Sequence, residues 1–143
     1  MKPSLRMDYA VKALVDLALH QGTGPVTVAS IAKRQSIPAH CLEQVFNRLR
    51  RKGLVSAERG PRGGYQLSRL PQEIGVNEIF QSLEPSGVFR HNGGSPRDPA
   101  AAVWKQVEQA VQTTLEATTL ETLAAQVRDQ IPSGVDHPFT FHI

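Results

Sequence analysis

The chain has 143 residues, of which 40% are hydrophobic, and it carries a formal net charge of +3 with a sequence pI near 9.4. This length favours one domain with a small core, and the absence of any run of about eighteen apolar residues argues against a membrane span. No apolar stretch follows a basic one at the N-terminus, so no secretory signal is predicted, and a single cysteine, Cys41, excludes an internal disulfide. Together these features predict a cytoplasmic protein with an anionic partner.

An apolar helix is predicted near the N-terminus, over residues 9–20, with Asp8 as its N-cap. Its polar residues Lys12, Asp16 and His20 recur every four positions and form one stripe, while apolar residues fill the rest. A helix this apolar is buried on most sides. We therefore expect it to pack beneath the elements that follow and against the C-terminal region or a second copy of the chain.

Two shorter helices are predicted next, separated by a turn. The first spans residues 28–35 with Thr27 as its cap, and residues 36–38 break the chain. Pro38 suits the first turn of the second helix, and Gly53 is the residue expected just past its end. A helix, a short turn and a second helix give the spacing of a helix–turn–helix.

The second of these helices has two chemically distinct faces. Its apolar residues recur at i, i+3, i+4 and i+7 and must face a core: Leu42, Val45, Phe46 and Leu49. On the opposite side, Gln and Asn can pair with adenine edges, Arg with guanine and Glu with the cytosine amino group. The residues predicted to read bases are His40, Glu43, Gln44, Asn47 and Arg51, and those predicted to bind phosphate or the minor groove include Arg48 and Arg50. For this helix by itself, an ordinary solvated polar face is the alternative.

A basic, glycine-rich hairpin is predicted after this helix. Residues 54–57 and 65–67 form its two short strands, with ERGPRGG between them. The turn would project arginines past the strand ends toward phosphates or the minor groove, while the glycines and the tyrosine position it. The residues assigned to this wing are Arg59, Gly60, Arg62, Gly63 and Tyr65. An ordinary basic loop is the alternative, whereas a nucleotide-binding phosphate loop is not expected because no Gly-Lys-Ser/Thr follows.

Basic residues are concentrated between Ile31 and Leu67. This stretch has eight Lys or Arg residues and two Glu residues, so its net charge, eight minus two, is +6, against +3 for the whole chain. A basic helix followed by a basic, glycine-rich hairpin is the electrostatic pattern of a protein that reads duplex DNA.

Beyond the hairpin the chain changes character. A short helix is predicted over 76–83, and residues 85–99 are predicted to form a flexible loop because they are rich in Gly, Pro and Ser and lack periodicity. Thr118 and Glu121 have the spacing of a capping box for the last helix. The resulting division is a DNA-binding region (1–84), a loop (85–99), two dimerisation helices (100–131) and a tail (132–143).

A narrow apolar stripe marks the long helix predicted over residues 100–117. Most of its members lie at successive i+4 positions, with one tryptophan beside them: Val103, Trp104, Val107, Val111 and Leu115. Such a stripe suits a helix that pairs with its copy across a two-fold axis, so these residues are predicted to form a homodimer interface. Packing against the first helix of the same chain is the alternative, and both can be partly true.

The runs DYAVKALVDLAL and PVTVASIAKRQSIPAHCLEQVFNRLRRKGLVSAERGPRGGYQL resemble the Rrf2 family of bacterial transcription regulators. The similarity is nearly continuous from about residue 7 to residue 84, and a later VWKQVEQ…TTLETL resembles the dimerisation region of the family. The resemblance implies a mainly α fold with a small β-hairpin. It further implies a winged helix–turn–helix with a long C-terminal dimerisation helix.

Several members of this family bind an iron–sulphur cluster through three cysteines in the loop that matches residues 84–99. This chain has no cysteine there; His91 lies near the first of those positions, and Ala101 replaces a histidine ligand. Asp8 matches a position that supplies a partner-subunit ligand in some relatives, although a helix cap explains it better. Because thiolates normally hold such clusters, no cofactor is predicted, and the scattered histidines predict no metal site. Cys41 and His91 are left as the candidate sensors.

The sequence thus predicts a DNA-binding transcription regulator that acts as a homodimer on a pseudo-palindromic operator in double-stranded DNA and responds to redox or metabolic state. The alternative is a protein-interaction module that binds a metabolic enzyme or another regulator. The basic, polar helix argues against that as the only role, since interface cores are depleted in charge. An enzyme is not predicted, because neither a Ser-His-Asp spacing nor paired carboxylates on an apolar face is present.

Overall fold

Helices dominate the fold, and a two-stranded hairpin is its only sheet within the residues described. The computed structural model describes residues 5–84, 95 and 97–130. Its elements are α1 (Leu5–Leu19), α2 (Val28–Gln35), α3 (Ala39–Arg51), β1 (Val55–Glu58), β2 (Gly64–Leu67), a 3-10 turn (Pro71–Glu73), α4 (Val76–Leu83), α5 (Pro99–Ala117) and α6 (Leu120–Gln130). The predicted mainly α architecture with a small hairpin is confirmed. Across these described ranges, none of the helices combines the length and apolar character needed to cross a membrane.

Helix α1 lies at the centre of the fold. It packs against α2, α3, α4, α6 and β2, and its small residues Ala10 and Ala13 are fully buried, which lets neighbouring helices approach closely. The expected packing against the helix–turn–helix and the C-terminal region is therefore confirmed. The described helix begins at Leu5 rather than at residue 9, and its added first turn places Met7 in the core. Asp8 consequently lies exposed within the first turns, and its predicted role as N-cap is wrong.

A buried ion cluster fastens α2 to α1. The carboxylate of Asp16, fully buried in α1, accepts two hydrogen bonds from Arg34, at 2.9 Å from Nε and 2.7 Å from Nη2. Gln35 donates a third at 3.0 Å, and the His20 ring lies 3.3 Å from the same carboxylate. A buried charge is tolerated when it is paired and hydrogen-bonded in this way. Arg34, one of the eight basic residues counted between Ile31 and Leu67, is therefore neutralised within the protein.

The ends of α2 and α3 follow ordinary capping chemistry. The Thr27 hydroxyl accepts a hydrogen bond from the Ser30 N–H at 3.1 Å, as predicted for the N-cap. Gly53 has a φ of 75° and donates its N–H to the Arg50 carbonyl, which confirms it as the residue that ends α3. Pro38 has extended backbone angles and is the N-cap of α3 rather than a residue of its first turn.

The hairpin is antiparallel and is held on one further edge. Val55 pairs with Leu67 at its base and Glu58 with Gly64 near its tip. On the free side of β2, Val26 and Tyr65 exchange two backbone hydrogen bonds of 2.8 and 2.7 Å. The chain before α2 therefore supports the hairpin as a third, one-residue strand.

The C-terminal helices return to the first part of the chain. Val76 donates its N–H to the Thr118 carbonyl at 2.9 Å, and Leu120 donates to the Ile74 carbonyl at 2.8 Å. These bonds place the α5–α6 junction beside the start of α4. Helix α6 then packs on α1 through the buried residues Leu120 and Ala124.

The predicted capping box of α6 is wrong. The hydroxyl of Thr119, one residue later than expected, accepts the Thr122 N–H at 3.2 Å. The Thr118 hydroxyl instead donates to the Thr114 carbonyl at the end of α5, and Glu121 pairs with Arg128 at 2.8 Å. The helix starts one residue later, and Thr118 lies before it, where its carbonyl accepts the Val76 N–H.

Part of the predicted loop over 85–99 and the whole predicted tail over 132–143 lie outside the described residues, as does His91. Helix α5 begins at Pro99, one residue before the predicted start, with Asp98 as its N-cap. The Asp98 carboxylate accepts the Ala100 N–H at 3.0 Å.

Candidate nucleic-acid interface

Helix α3 presents its predicted polar face to solvent. Its apolar side is seated in the core, where Leu42, Val45, Phe46 and Leu49 are each at most 1% exposed. Anchoring one side of an α-helix in this way leaves the opposite side directed outward. All five residues predicted to read bases are exposed on that side: His40, Glu43, Gln44, Asn47 and Arg51. We call this set the reading face.

One aromatic contact joins the reading helix to the hairpin. The rings of Phe46 and Tyr65 are stacked, with centroids 4.4 Å apart and planes 17° apart. Since Tyr65 is also bonded through its backbone to Val26, the middle of β2 is fixed to both α3 and the chain before α2. The half-buried Tyr65 thus joins the hairpin to both of these elements.

The turn of the wing requires glycine for two different reasons. At Gly60 the φ of 110° lies in the region that side chains disfavour. At Gly63 a Cβ atom would lie 2.4 Å from the Glu58 carbonyl oxygen, so no side chain fits there. This tight turn leaves Arg59 and Arg62 exposed at its tip. Below the tip, Gln66 donates a hydrogen bond of 2.8 Å to Glu58 across the strands.

The arginines of α3 do not all face the same way. At about 100° per residue, Arg48 and Arg50 lie on opposite flanks of the reading face. Arg48 donates a hydrogen bond of 3.3 Å from Nη1 to the carbonyl of Leu83, the last residue of α4. Arg50, Arg51 and Lys52 remain exposed in the last turn and at the end of α3. Arg48 is also exposed, so what distinguishes it from these residues is its hydrogen bond to α4 and not its burial.

The predicted dimerisation stripe lies on a helix that the other described residues cover only in part. Helix α5 packs against α4, and among its described residues none is buried. Val103 is 57% exposed and Trp104 46% exposed, whereas Val107, Val111 and Leu115 are half-buried. Exposed large apolar side chains in one stripe are typical of a surface that binds protein.

Sequence reasoning missed two residues that position the site. Val26 supports the wing through its backbone, and nothing in its local pattern indicates this pairing. Asp16 orients α2 through Arg34, and it did leave a signal, since it is the one acidic residue in the mostly apolar stretch 9–20.

Comparison with known proteins identifies the chain's family. Residues 4–126 match the model of the Rrf2 proteins, described as iron-dependent transcriptional regulators. This chain belongs to the Rrf2 family. It is accordingly a DNA-binding transcriptional regulator of the winged-helix type, and the Rrf2 relatives it matches are regulators rather than enzymes.

Rrf2 relatives match over most of their own length. The HTH-type transcriptional regulator slr0846 of Synechocystis sp. is 40% identical over 133 residues, which cover 90% of each chain. The structure of CymR, the global cysteine regulator of B. subtilis, superposes with a TM-score of 0.80 and 34% identity over 88% of this chain and 98% of that one. IscR of T. potens gives a TM-score of 0.80 and 36% identity over 94% of both chains.

The donor atoms of this Rrf2 chain do not fit the iron–sulphur cluster that its family resemblance implies. Such clusters are held by several thiolates, and Cys41 is the only cysteine in all 143 residues. Within the described ranges, no three His, Cys, Asp or Glu side chains lie close enough to share a metal ion. Cys41 itself is half-buried on the flank of α3 that also carries Arg48. No step of recognition is therefore assigned to iron.

Proposed function

We propose that this Rrf2 protein binds a pseudo-palindromic operator as a homodimer, with α3 of each protomer in a major groove and the wing beside it. The observation that carries the proposal is the stack of Phe46 on Tyr65. It fixes an exposed polar helix face and an arginine-tipped turn in one rigid arrangement. Each element by itself could be an ordinary solvated surface, but their fixed pairing matches the docking of a winged helix on duplex DNA. Such a role belongs in the cytoplasm, with the chromosome.

The exposed residues divide by chemistry into two groups. The side chains of the reading face carry the donors and acceptors that match base edges in the major groove. Basic side chains around that face lie outside the set directed at base edges, and their positive charge suits phosphates or the minor groove. This second group consists of Arg50, Lys52, Arg59 and Arg62. Gly60, Gly63 and Tyr65 contribute by shaping and holding the wing.

Helix α5 is the proposed dimer contact. The exposed side chains of Val103 and Trp104 continue the half-buried stripe of Val107, Val111 and Leu115. Pairing this stripe with its copy would bury apolar surface that the monomer exposes. A two-fold axis through α5 presents two reading faces, whose half-sites should be separated by about 34 Å or a multiple of it.

Two substitutions test the division of the surface. A duplex is first enriched from a random-sequence pool by the wild-type protein, and affinities are then measured over a series of salt concentrations. We expect Arg62→Ala to weaken binding to every duplex and to lower the salt slope by about one for each phosphate that is no longer bound. Gln44→Ala should instead change the preference among bases, by about 1–3 kcal/mol for each base edge that is no longer read, with the slope preserved. Identical behaviour of the two variants would contradict the division.

Cys41, on the flank of the same helix, is the proposed site at which a redox signal acts on DNA binding. Cys41 lies in the first turn of α3, half-buried beside the reading face, so its oxidation would disturb that face directly. Peroxide should then weaken operator binding by the wild-type protein and leave Cys41→Ser unaffected. An unchanged peroxide response in Cys41→Ser would redirect attention to His91 or to a protein partner, such as a metabolic enzyme or another regulator.

A further inference from the structure

Arg48 is the one arginine of α3 whose side chain is directed at a neighbouring helix. Its Nη1 donates a 3.3 Å hydrogen bond to the carbonyl oxygen of Leu83, the last residue of α4. The last carbonyls of any helix lack partners within that helix. Arg48 therefore supplies from α3 a donor that α4 lacks.

The charge at this end of α4 supports the same assignment. The C-terminal end of a helix carries partial negative charge, which a basic side chain nearby stabilises. Helix α4 has no basic residue in its last turn, and the residue that follows it, Glu84, adds a negative charge. Glu84 pairs with Arg6 at a distance of 3.7 Å. Arg48 thus supplies the positive charge that binds the terminal carbonyl itself.

We infer that Arg48 is a positioning residue for DNA recognition rather than a phosphate contact. Its side chain sets the orientation of the reading face relative to α4. The contacts of α4 give this orientation its importance. Helix α4 packs on one side against α3 and on another against α5, which carries the proposed dimer contact. A bond between α3 and the end of α4 therefore fixes how the reading face is held relative to the helix that would meet its copy. This inference rests on the DNA-binding function of the family and deepens it.

A phosphate contact and a positioning bond within the protein predict different effects of salt on DNA binding when Arg48 is replaced. A phosphate contact releases counterions when it forms, so its removal lowers the salt slope by about 0.9 per phosphate. A bond within the protein releases none, and its removal leaves the slope unchanged. Loss of orientation reduces the ratio of operator affinity to non-specific affinity, because base contacts depend on alignment and phosphate contacts depend on it less.

The experiment compares Arg48→Met with Arg62→Met, a matched removal of one arginine at the tip of the wing. Affinities are measured for the enriched duplex and for a scrambled duplex of the same length, over a salt series. For Arg48→Met we expect the wild-type slope on both duplexes and about a ten-fold fall in the affinity ratio, which corresponds to the loss of about one well-aligned base contact. Arg62→Met should lower the slope on both duplexes and change the ratio little.

A third variant separates charge from hydrogen bonding. Arg48→Gln removes the charge but retains an amide donor, so it should keep the slope and recover part of the affinity ratio. A lower slope in either Arg48 variant, or an unchanged ratio in Arg48→Met, would overturn the inference. Failure of both variants to fold would also overturn it, because Arg48 would then serve the stability of the whole domain.

Failure of the broader proposal would be visible separately. If the wild-type protein enriches no duplex from the pool, operator recognition is refuted before any variant is made. The salt slope of Arg48→Met on an arbitrary duplex still decides between a phosphate contact and a bond within the protein.

Discussion

Phe46 and Tyr65 form the only stacked aromatic pair among the described residues, and the pair links the reading helix to the wing. Phe46 is fully buried, whereas Tyr65 is half-buried. One ring is thus anchored in the core while the other holds a strand whose far end carries the exposed arginines. The placement of the wing consequently depends on the stack of Phe46 on Tyr65, which lies away from the arginines at the tip of the turn.

Replacing the outer ring should loosen the wing. We expect Tyr65→Ala to lower the free energy of unfolding by about 2 kcal/mol, less than for a fully buried aromatic because the ring is partly exposed. Urea denaturation measures this change. The matched variant Tyr65→Phe keeps the stacked ring and should retain both stability and DNA affinity; a large destabilisation in Tyr65→Phe would show that the hydroxyl, and not the stack, holds the wing.

Gly64 is predicted to be intolerant of any side chain. Its φ is 152°, and a Cβ there would lie 2.4 Å from the backbone oxygen of Val26. We expect Gly64→Ala to cost at least about 3 kcal/mol in unfolding free energy, since backbone strain adds to a clash with main-chain atoms. Gly22→Ala is the control: its φ is 89°, but a Cβ there meets nothing within 4 Å, so only about 1 kcal/mol of strain is expected. Equal destabilisation of the two variants would show that the bridge to Val26 does not constrain the strand.

Removing the buried carboxylate of Asp16 should be among the most damaging single changes. Asp16→Ala leaves the guanidinium of Arg34, whose side chain is only 17% exposed, without its partner. Breaking a buried pair by removing one member costs about 3–5 kcal/mol. The control is Asp8→Ala, an exposed acidic residue of the same helix, for which a change within about 0.5 kcal/mol is expected. Thermal or urea unfolding of both variants gives the comparison.

The sequence was sufficient to predict what depends on one element at a time. Periodicity gave the order of the elements, and the helical wheel of α3 divided Leu42 and Phe46 from Gln44 and Asn47 correctly. Thr27 and Gly53 were assignable because caps depend on neighbours only a few residues away.

Features that depend on contacts between different helices and strands could not be predicted from the periodicity of one element. The wheel placed Arg48 on a flank of α3, but it could not show that the carbonyl of Leu83 would lie there. Arg34 was counted with the basic face because its partner, Asp16, is eighteen residues earlier in the sequence. The start of α6 was misplaced by one residue because the bridge between Thr118 and Val76 joins segments far apart in the chain.

Stability should depend on acidic pH through Glu78. Partial burial raises the pKa of this carboxyl, but hydrogen bonds from the Gly75 N–H and from Arg69 outweigh it and hold the pKa below its ordinary value. A lowered pKa in the folded state means that the stabilisation is present above the unfolded pKa, about 4.3, and is lost as pH falls through the folded value. Both side chains of the pair are more than a third exposed, so the contribution is at most about 1 kcal/mol.

A mutant cycle of Glu78→Gln, Arg69→Met and the double variant measures this pair. The coupling free energy from urea unfolding should be present at pH 7 and should vanish well below the ordinary pKa of glutamate, about 4.3. A coupling that persists at strongly acidic pH would indicate that the two residues interact through packing rather than through charge.

Iron should not be needed for DNA binding. Because the chain has a single cysteine, protein isolated and reconstituted without oxygen is expected to lack a charge-transfer band and sulphide. Chelation of iron should leave operator affinity unchanged. A reproducible band with near-stoichiometric iron and sulphide would contradict this expectation, and substitution of Cys41, His91 and Asp8 would then identify the ligands.

The seating of α6 on α1 has a consequence for how the protein is made. Helix α1 leaves the ribosome before α6, whose buried residues Leu120 and Ala124 pack on its apolar surface. During synthesis the reading helix and the wing can therefore form while α1 still exposes apolar surface, and such surface favours aggregation. A chain truncated before residue 120 would keep its DNA-facing residues but lack this cover on α1, and we expect it to be degraded faster than the longer chain.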